Sequence, residues 1–243
     1  MDKKVVFDHY AAVLNELMNS DSWFKLYLQR PWALENDLEL EDVDFYFGAT
    51  RACMVGAGYP YVVKFDTEVD GLGDSCCARE VEVYKTAKEA HCERYLAEAE
   101  YIGTYYKSIE YYNIEDFDGI DMLDIMEEDD IEDFAYRNDL EKCHIQIALP
   151  LYAYPRAESY DCGDYDEKLA TTAKKVVSPL CDRNVMVAVA FINEYGVDEY
   201  YNFSDFCLEM NINDLHMGNI GSVDGHLVII DYGSYHDGCT GSW

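Results

Sequence analysis

The order of strand-like and helix-like texture along the chain constrains its fold more than any other feature. Short apolar runs at residues 44–47, 52–55 and 61–65 are separated by Gly48-Ala49-Thr50-Arg51 and by Gly56-Ala57-Gly58-Tyr59-Pro60, which reads as an antiparallel meander. A helix is expected before it, over residues 7–29, because Val13, Leu17, Phe24 and Leu28 recur at helical spacing and Pro31 punctuates the stretch. A second helix is expected over residues 78–100, with Val81, Tyr84, Ala87 and His91 to Tyr95 along one side. Strand texture returns at 101–112 and 143–153. After Tyr154-Pro155 the pattern is mostly helical to Asn211, broken at Pro179 and Gly196. Residues 219–223 and 226–230 then flank Asp224-Gly225, a hairpin signal. Strands first, helices later and a closing hairpin, with no internal repeat, give an α+β chain.

Composition agrees with a folded domain. Hydrophobic residues make up 49% of the 243 and aromatics 14%, too many for a disordered chain. The 22 tyrosines suit half-buried positions where the ring packs and the hydroxyl stays wet. The first residues lack the apolar stretch of a signal peptide, and no run approaches 18 apolar residues, so a cytoplasmic chain without a membrane span is expected. The nine scattered cysteines then read as reduced thiols, and the Cys76-Cys77 and His91-Cys92 spacings are poor starts for structural zinc.

Forty-nine acidic against eighteen basic residues leave a net charge of −31. Such a surface repels nucleic acid and anionic membranes and attracts cationic partners, either a cationic small molecule or a basic protein. Simple solvation, or an acidic mimic that occupies a basic nucleic-acid-binding partner, is consistent with the same charge. The densest segment, residues 115–141, holds thirteen acids in 27 residues. Asp116, Asp118 and Glu127 match positions 1, 3 and 12 of a calcium loop, but Ile120 and Asp121 stand where a ligand and the turn glycine belong. An acidic inserted helix with Met122, Ile125 and Met126 facing inward is the expectation.

Chemistry concentrates near the C-terminus, in Ile212-Asn213-Asp214-Leu215-His216-Met217-Gly218-Asn219 and, twelve residues on, in Asp231-Tyr232-Gly233. Phosphoryl transfer needs a carboxylate to receive the attacking hydroxyl's proton and oxygen ligands to hold Mg²⁺ against the phosphates. An Asp and an Asn five apart on one loop can supply a base and an amide oxygen. A tight hairpin then returns the chain and sets a second carboxylate at its end, preceded by Val228-Ile229-Ile230. An Asx-rich turn before an edge hairpin would share part of this pattern. Upstream, Lys64 lies in Tyr61-Val62-Val63-Lys64-Phe65, an apolar run in which an unpartnered ammonium would be costly. An edge-strand lysine guarding against aggregation is the alternative.

The Asp-Leu-His-x-Gly-Asn stretch with its following hairpin and Asp-Tyr-Gly resembles the catalytic and metal loops of the protein-kinase-like superfamily. Its form is similar to aminoglycoside and choline phosphotransferases and to small kinase-like proteins of phages and prophages. The resemblance implies a bilobal fold, truncated after the metal loop. Residues 1–149 would form an N-terminal lobe with an acidic insertion at about 113–141, and residues 150–243 a helical C-terminal lobe with the catalytic hairpin. It implies ATP and Mg as cofactors, Asp214 as catalytic base, and Asn219 and Asp231 as Mg²⁺ ligands. Lys64 would contact the α- and β-phosphates and pair with Glu82, with Glu80 the alternative, and Gly48 would sit in the phosphate-covering turn. The run 147–151 would be the last strand and the hinge behind the adenine. Asn213 and His216 depart from the arginine and lysine common in regulated protein kinases, the full G-x-G-x-x-G is missing, and the ten residues after Gly233 leave no room for an activation loop. A catalytically weak pseudokinase is the corresponding alternative.

Overall fold

A computed structural model describes residues 1–18, 42–47, 51–66, 75–112, 136–137, 142–160, 168, 170–171, 185–212 and 214–233. Gly48, Asn213, residues 19–29 of the expected first helix and the acidic insertion apart from residues 136–137 lie outside them. In chain order the elements are helix α1 (Lys3–Leu17), strands β1 (Val43–Phe47), β2 (Arg51–Gly56) and β3 (Tyr61–Asp66), and helix α2 (Cys76–Glu89). Strands β4 (Glu100–Tyr112) and β5 (Lys142–Pro155), helices α3 (Val185–Tyr195) and α4 (Val197–Glu209), and strands β6 (Ile220–Val223) and β7 (His226–Ile229) follow among the described residues. The chain is α+β. Five strands form one antiparallel sheet in the order β1-β2-β3-β5-β4, and β6 pairs with β7 alone. Strand β5 runs through position 150 to Pro155, so the sheet extends beyond the expected lobe boundary at 149.

Strand alternation divides the sheet into two working faces. Ala52 and Met54 of β2, Val63 and Phe65 of β3, and Leu149, Leu151 and Ala153 of β5 point to one side and are buried. Helix α1 covers that face with Val6, Tyr10, Leu14 and Leu17, a stripe at helical period. Asp2 caps the helix, its carboxylate accepting from the amides of Lys4 and Val5 at 3.1 and 3.4 Å. Gly103, at a bulge in β4 with φ +148°, lets the strand pass Phe7, whose ring would lie 2.9 Å from an added Cβ.

The opposite face carries Arg51, Cys53, Lys64, Asp66, Tyr152 and Tyr154 and meets a second core. Helix α2 is anchored there by the end of β3. Asp66 accepts from the Ser75 hydroxyl and the Cys77 amide, and Ser75 in turn caps the helix through the Ala78 amide at 2.9 Å. Beyond α2 a 3₁₀ turn, Glu93–Tyr95, brings Tyr95 against Phe191 of α3 and Phe203 of α4, and those two phenyl rings stack at 4.9 Å. The β6–β7 hairpin is stitched to the same region. The Ala97 amide donates to the Ile229 carbonyl at 2.9 Å, and the Tyr232 hydroxyl donates to the Ala97 carbonyl at 2.6 Å. Its turn, Asp224 (φ 52°) and Gly225 (φ 81°), has both central residues left-handed, which matches the twist of a two-residue hairpin. No helix among the described residues is long and apolar enough to cross a membrane.

Candidate functional site

The second face of the sheet ends in a buried charge cluster. Glu80 of α2 is fully buried, yet every side of its carboxylate is engaged. Oε1 accepts from Arg51 Nη1 at 2.9 Å and from the backbone amides of Tyr232 and Gly233 at 2.9 and 3.1 Å. Oε2 accepts from the Tyr154 hydroxyl at 2.5 Å and lies 3.8 Å from Lys64 Nζ. Burial alone would push this carboxyl up. Lys64 and Arg51, with the Tyr154 hydroxyl and the Tyr232 amide, outweigh it and hold Glu80 down at about 2. A buried carboxylate with this many donors is the only form in which such a charge is tolerable.

Lys64 reaches from the middle of β3. Its ammonium donates to the Ile230 carbonyl at 2.7 Å and stands 4.3 Å above the Tyr154 ring. The Ile230 amide donates to the Asn219 carbonyl at 2.8 Å, and Asn219 Nδ2 donates to the Asp214 carbonyl at 2.7 Å. Through three hydrogen bonds the strand lysine is therefore tied to the loop of Asp214 and Asn219 and to the residue before Asp231. Asp231 is 37% exposed, and its Oδ1 accepts from Arg51 Nη2. Arg51 thus bridges Glu80 and Asp231 with its two terminal nitrogens. Gly233 closes the turn against α2, where a Cβ would stand 2.7 Å from the Cys76 carbonyl oxygen.

The pairing of Lys64 with Glu82 expected from the sequence is corrected by this geometry. Glu82 is 70% exposed and bonds to Lys85 at 2.6 Å; Glu80 faces the lysine. The signal was present in the helix phase. Residues three and four away from Glu80 include Cys77, Val83 and Tyr84, with Ala87 seven on, whereas Glu82 is flanked by Arg79, Lys85 and Thr86. Arg51, Tyr154 and Asp66 were not singled out by sequence. Strand alternation puts Arg51 on the face of Cys53, which stands opposite Lys64, but nothing local names Asp231, 180 residues away, as its partner.

Asn219 and Asp231 carry oxygen donors of the kind a hard cation takes. With Nδ2 of Asn219 spent on the Asp214 carbonyl, its Oδ1 is the atom suited to a metal, and Asp231 has Oδ2 besides the oxygen held by Arg51. Among the described residues no three His, Cys, Asp or Glu side chains converge as a metal site. Two oxygen donors suit an ion that arrives with oxygens of its own, as Mg²⁺ does with phosphates. A cavity of about 590 Å³ lies elsewhere, between the 3₁₀ turn, the ends of β3 and β5 and the hairpin tip. It is walled by Tyr154 but by none of Lys64, Glu80, Asp214, Asn219 or Asp231. Of its four acids, Glu98 and Glu100 are paired with Lys88 and Lys3, Asp224 belongs to the hairpin turn, and Glu93 keeps a buried Oε2 without a hydrogen-bond partner.

No protein-family model matches the chain, and no curated protein matches it.

Proposed function

We propose that this chain is an ATP- and Mg-dependent phosphotransferase of kinase-like, two-lobed build, acting on a hydroxyl of a cationic small molecule or a basic protein. One observation carries the reading. A lysine from the middle of a sheet strand and a fully buried helix glutamate both hold the turn Ile230 to Gly233, next to the loop of Asp214 and Asn219. Arg51, Lys64, Glu80 and Asp231, from four separated segments, spend their charges on one small region, where hydrophobic packing alone would need none of them.

In this reading Lys64 offers its ammonium to the α- and β-phosphate oxygens while Glu80 and the Ile230 carbonyl fix its position. Asp214 receives the proton of the acceptor hydroxyl as its oxygen attacks the terminal phosphorus, and ADP leaves. Asn219 and Asp231 would hold Mg²⁺, which when bound offsets charge on the phosphate oxygens. Helix α2 keeps Glu80 seated, so the lysine and the Asp231 turn are positioned as one unit. The net charge of −31 favours a cationic acceptor by raising its local concentration.

Transfer of label from Mg-ATP to polyamines, aminoglycoside-like cations or basic proteins tests the reading. Asp214→Ala should abolish transfer while leaving the melting-point rise caused by Mg-ATP. Transfer that survives the substitution removes Asp214 from its role. A second reading, a weak or inactive pseudokinase, is favoured by the guanidinium resting on Asp231, which occupies an oxygen that a metal would use. Binding of Mg-ATP without turnover by the unsubstituted protein would select it.

A further inference from the structure

Four charges meet at the base of the site, and they cancel. Arg51 and Lys64, 14% and 13% exposed, face Glu80 and Asp231. Lys64 is spread over the Ile230 carbonyl, the Tyr154 ring and the more distant Glu80, whereas Arg51 makes a two-nitrogen bridge from Glu80 to Asp231. A planar guanidinium is suited to such a bridge because its donors diverge in one rigid fork. A divalent cation placed beside Asp231 would meet this positive group across a single carboxylate. It would lose part of the carboxylate's charge and be repelled by a neighbour that cannot deprotonate.

We propose that Arg51 gates Asp231: its guanidinium and a divalent cation compete for the same carboxylate, so the protein without nucleotide binds the bare ion weakly. A metal polyphosphate differs because it brings negative charge, onto which Arg51 can transfer its Asp231 bond while keeping Glu80. The gate rests on the reading of Asp231 as a metal ligand. Arg51 is accordingly a positioning residue, holding Glu80 and Asp231 in register before nucleotide enters and conferring preference for metal-bound polyphosphate over metal alone.

The test uses Mn²⁺ alone and a local reporter, because a chain of this charge gathers cations over its whole surface. In isotopically labelled protein the broadening by Mn²⁺ falls as the inverse sixth power of distance, so an ion on Asp231 dominates at the amides of Tyr232 and Gly233, and the share that Asp231→Asn removes is the site's own. Arg51→Gln, which can still donate to Glu80, should lower the Mn²⁺ concentration for half-broadening by about tenfold, the scale of one released charge pair. Arg51→Lys keeps the charge but cannot bridge both carboxylates, so it should fall between Gln and wild type and serves if the Gln variant does not fold. Adding Asp231→Asn should abolish the gain. An unchanged midpoint in whichever Arg51 variant folds, with broadening still dependent on Asp231, overturns the gate alone. Broadening that ignores Asp231→Asn in every background overturns both the gate and the metal-ligand reading beneath it.

Discussion

At the scale of single residues, Glu80 and Glu82 form a natural controlled comparison, two positions apart on one helix and opposite in environment. Glu80 contributes stability because its ionised form is better held in the folded chain than in the unfolded one. Its folded value of about 2 lies below the ordinary 4.5. The contribution is therefore full above about pH 5 and is lost as pH falls through 4.5 towards 2. Removing one partner from a buried, hydrogen-bonded charge cluster costs about 3 kcal/mol or more. Glu80→Gln should cost on that order in urea denaturation at pH 7, and the gap between variant and wild type should shrink as the pH approaches 3. Reading the gap rather than the absolute stability matters, since acidification also relieves repulsion among the many exposed carboxylates. Glu82→Gln should stay within about 0.5 kcal/mol at both pH values. A pH-independent gap would mean that packing, rather than charge, is what Glu80 supplies. The residue types of this cluster were legible in the sequence where context was local: Lys64 stood out as a cation in an apolar run. The choice between the two glutamates was legible too, but only by counting neighbours at helical spacing. Arg51 was not, because its meaning lies in a partner brought close only by the completed fold.

At the scale of elements, the closing hairpin and the strand-turn-strand of β2 and β3 follow from signals within a few residues, and their extents agree closely with the sequence pattern. Helix α2 does not. Its expected range of 78–100 overran the observed end by eleven residues, since the helix stops at Glu89. The stop is made by backbone geometry that leaves no glycine in the sequence. His91 takes a left-handed φ of 57°, the Cys92 amide returns to the Ala87 carbonyl at 2.8 Å, and the His91 amide to Lys88. This is a Schellman closure with histidine where glycine is usual. Helix α4 ends the same way on Asn211 (φ 53°), with the Ile212 amide on the Cys207 carbonyl at 2.8 Å. A side chain at such a backbone position costs about 1 kcal/mol, less for asparagine, which tolerates it. His91→Gly should therefore raise stability by up to about 1 kcal/mol, and Asn211→Gly by less, in parallel denaturant titrations. Equal or reversed effects would show that the exposed His91 ring contributes something the closure does not need.

At the scale of the whole molecule, two interactions of opposite salt dependence coexist. The surface carries a net charge of −31, so its carboxylates repel one another over tens of ångströms at low ionic strength. The site holds attractive pairs of Arg51 and Lys64 with Glu80, whose carboxylate is fully buried and reached poorly by mobile ions, besides the pair of Arg51 with the more exposed Asp231. Screening acts on the repulsion far more than on the Glu80 pairs, because the Debye length falls from about 30 Å at 0.01 M to about 8 Å at 0.15 M, while the Glu80 pairs are shorter than either and centre on a buried carboxylate. Added sodium chloride should thus remove repulsion without dissolving the cluster. A relief on the order of 1 kcal/mol would raise the Tm by about 2–4 °C for a chain of this size. The same titration on Glu80→Gln should give a parallel line displaced downward, since a buried group adds an offset and not a slope. Converging lines would place the cluster within reach of salt and weaken the case that Glu80 is sealed behind Tyr154 and the Tyr232 turn. A Tm that falls with salt in the wild type would mean that exposed ion pairs such as Lys3–Glu100 and Lys88–Glu98 outweigh the general repulsion, and that the charge of this protein is organised rather than merely abundant.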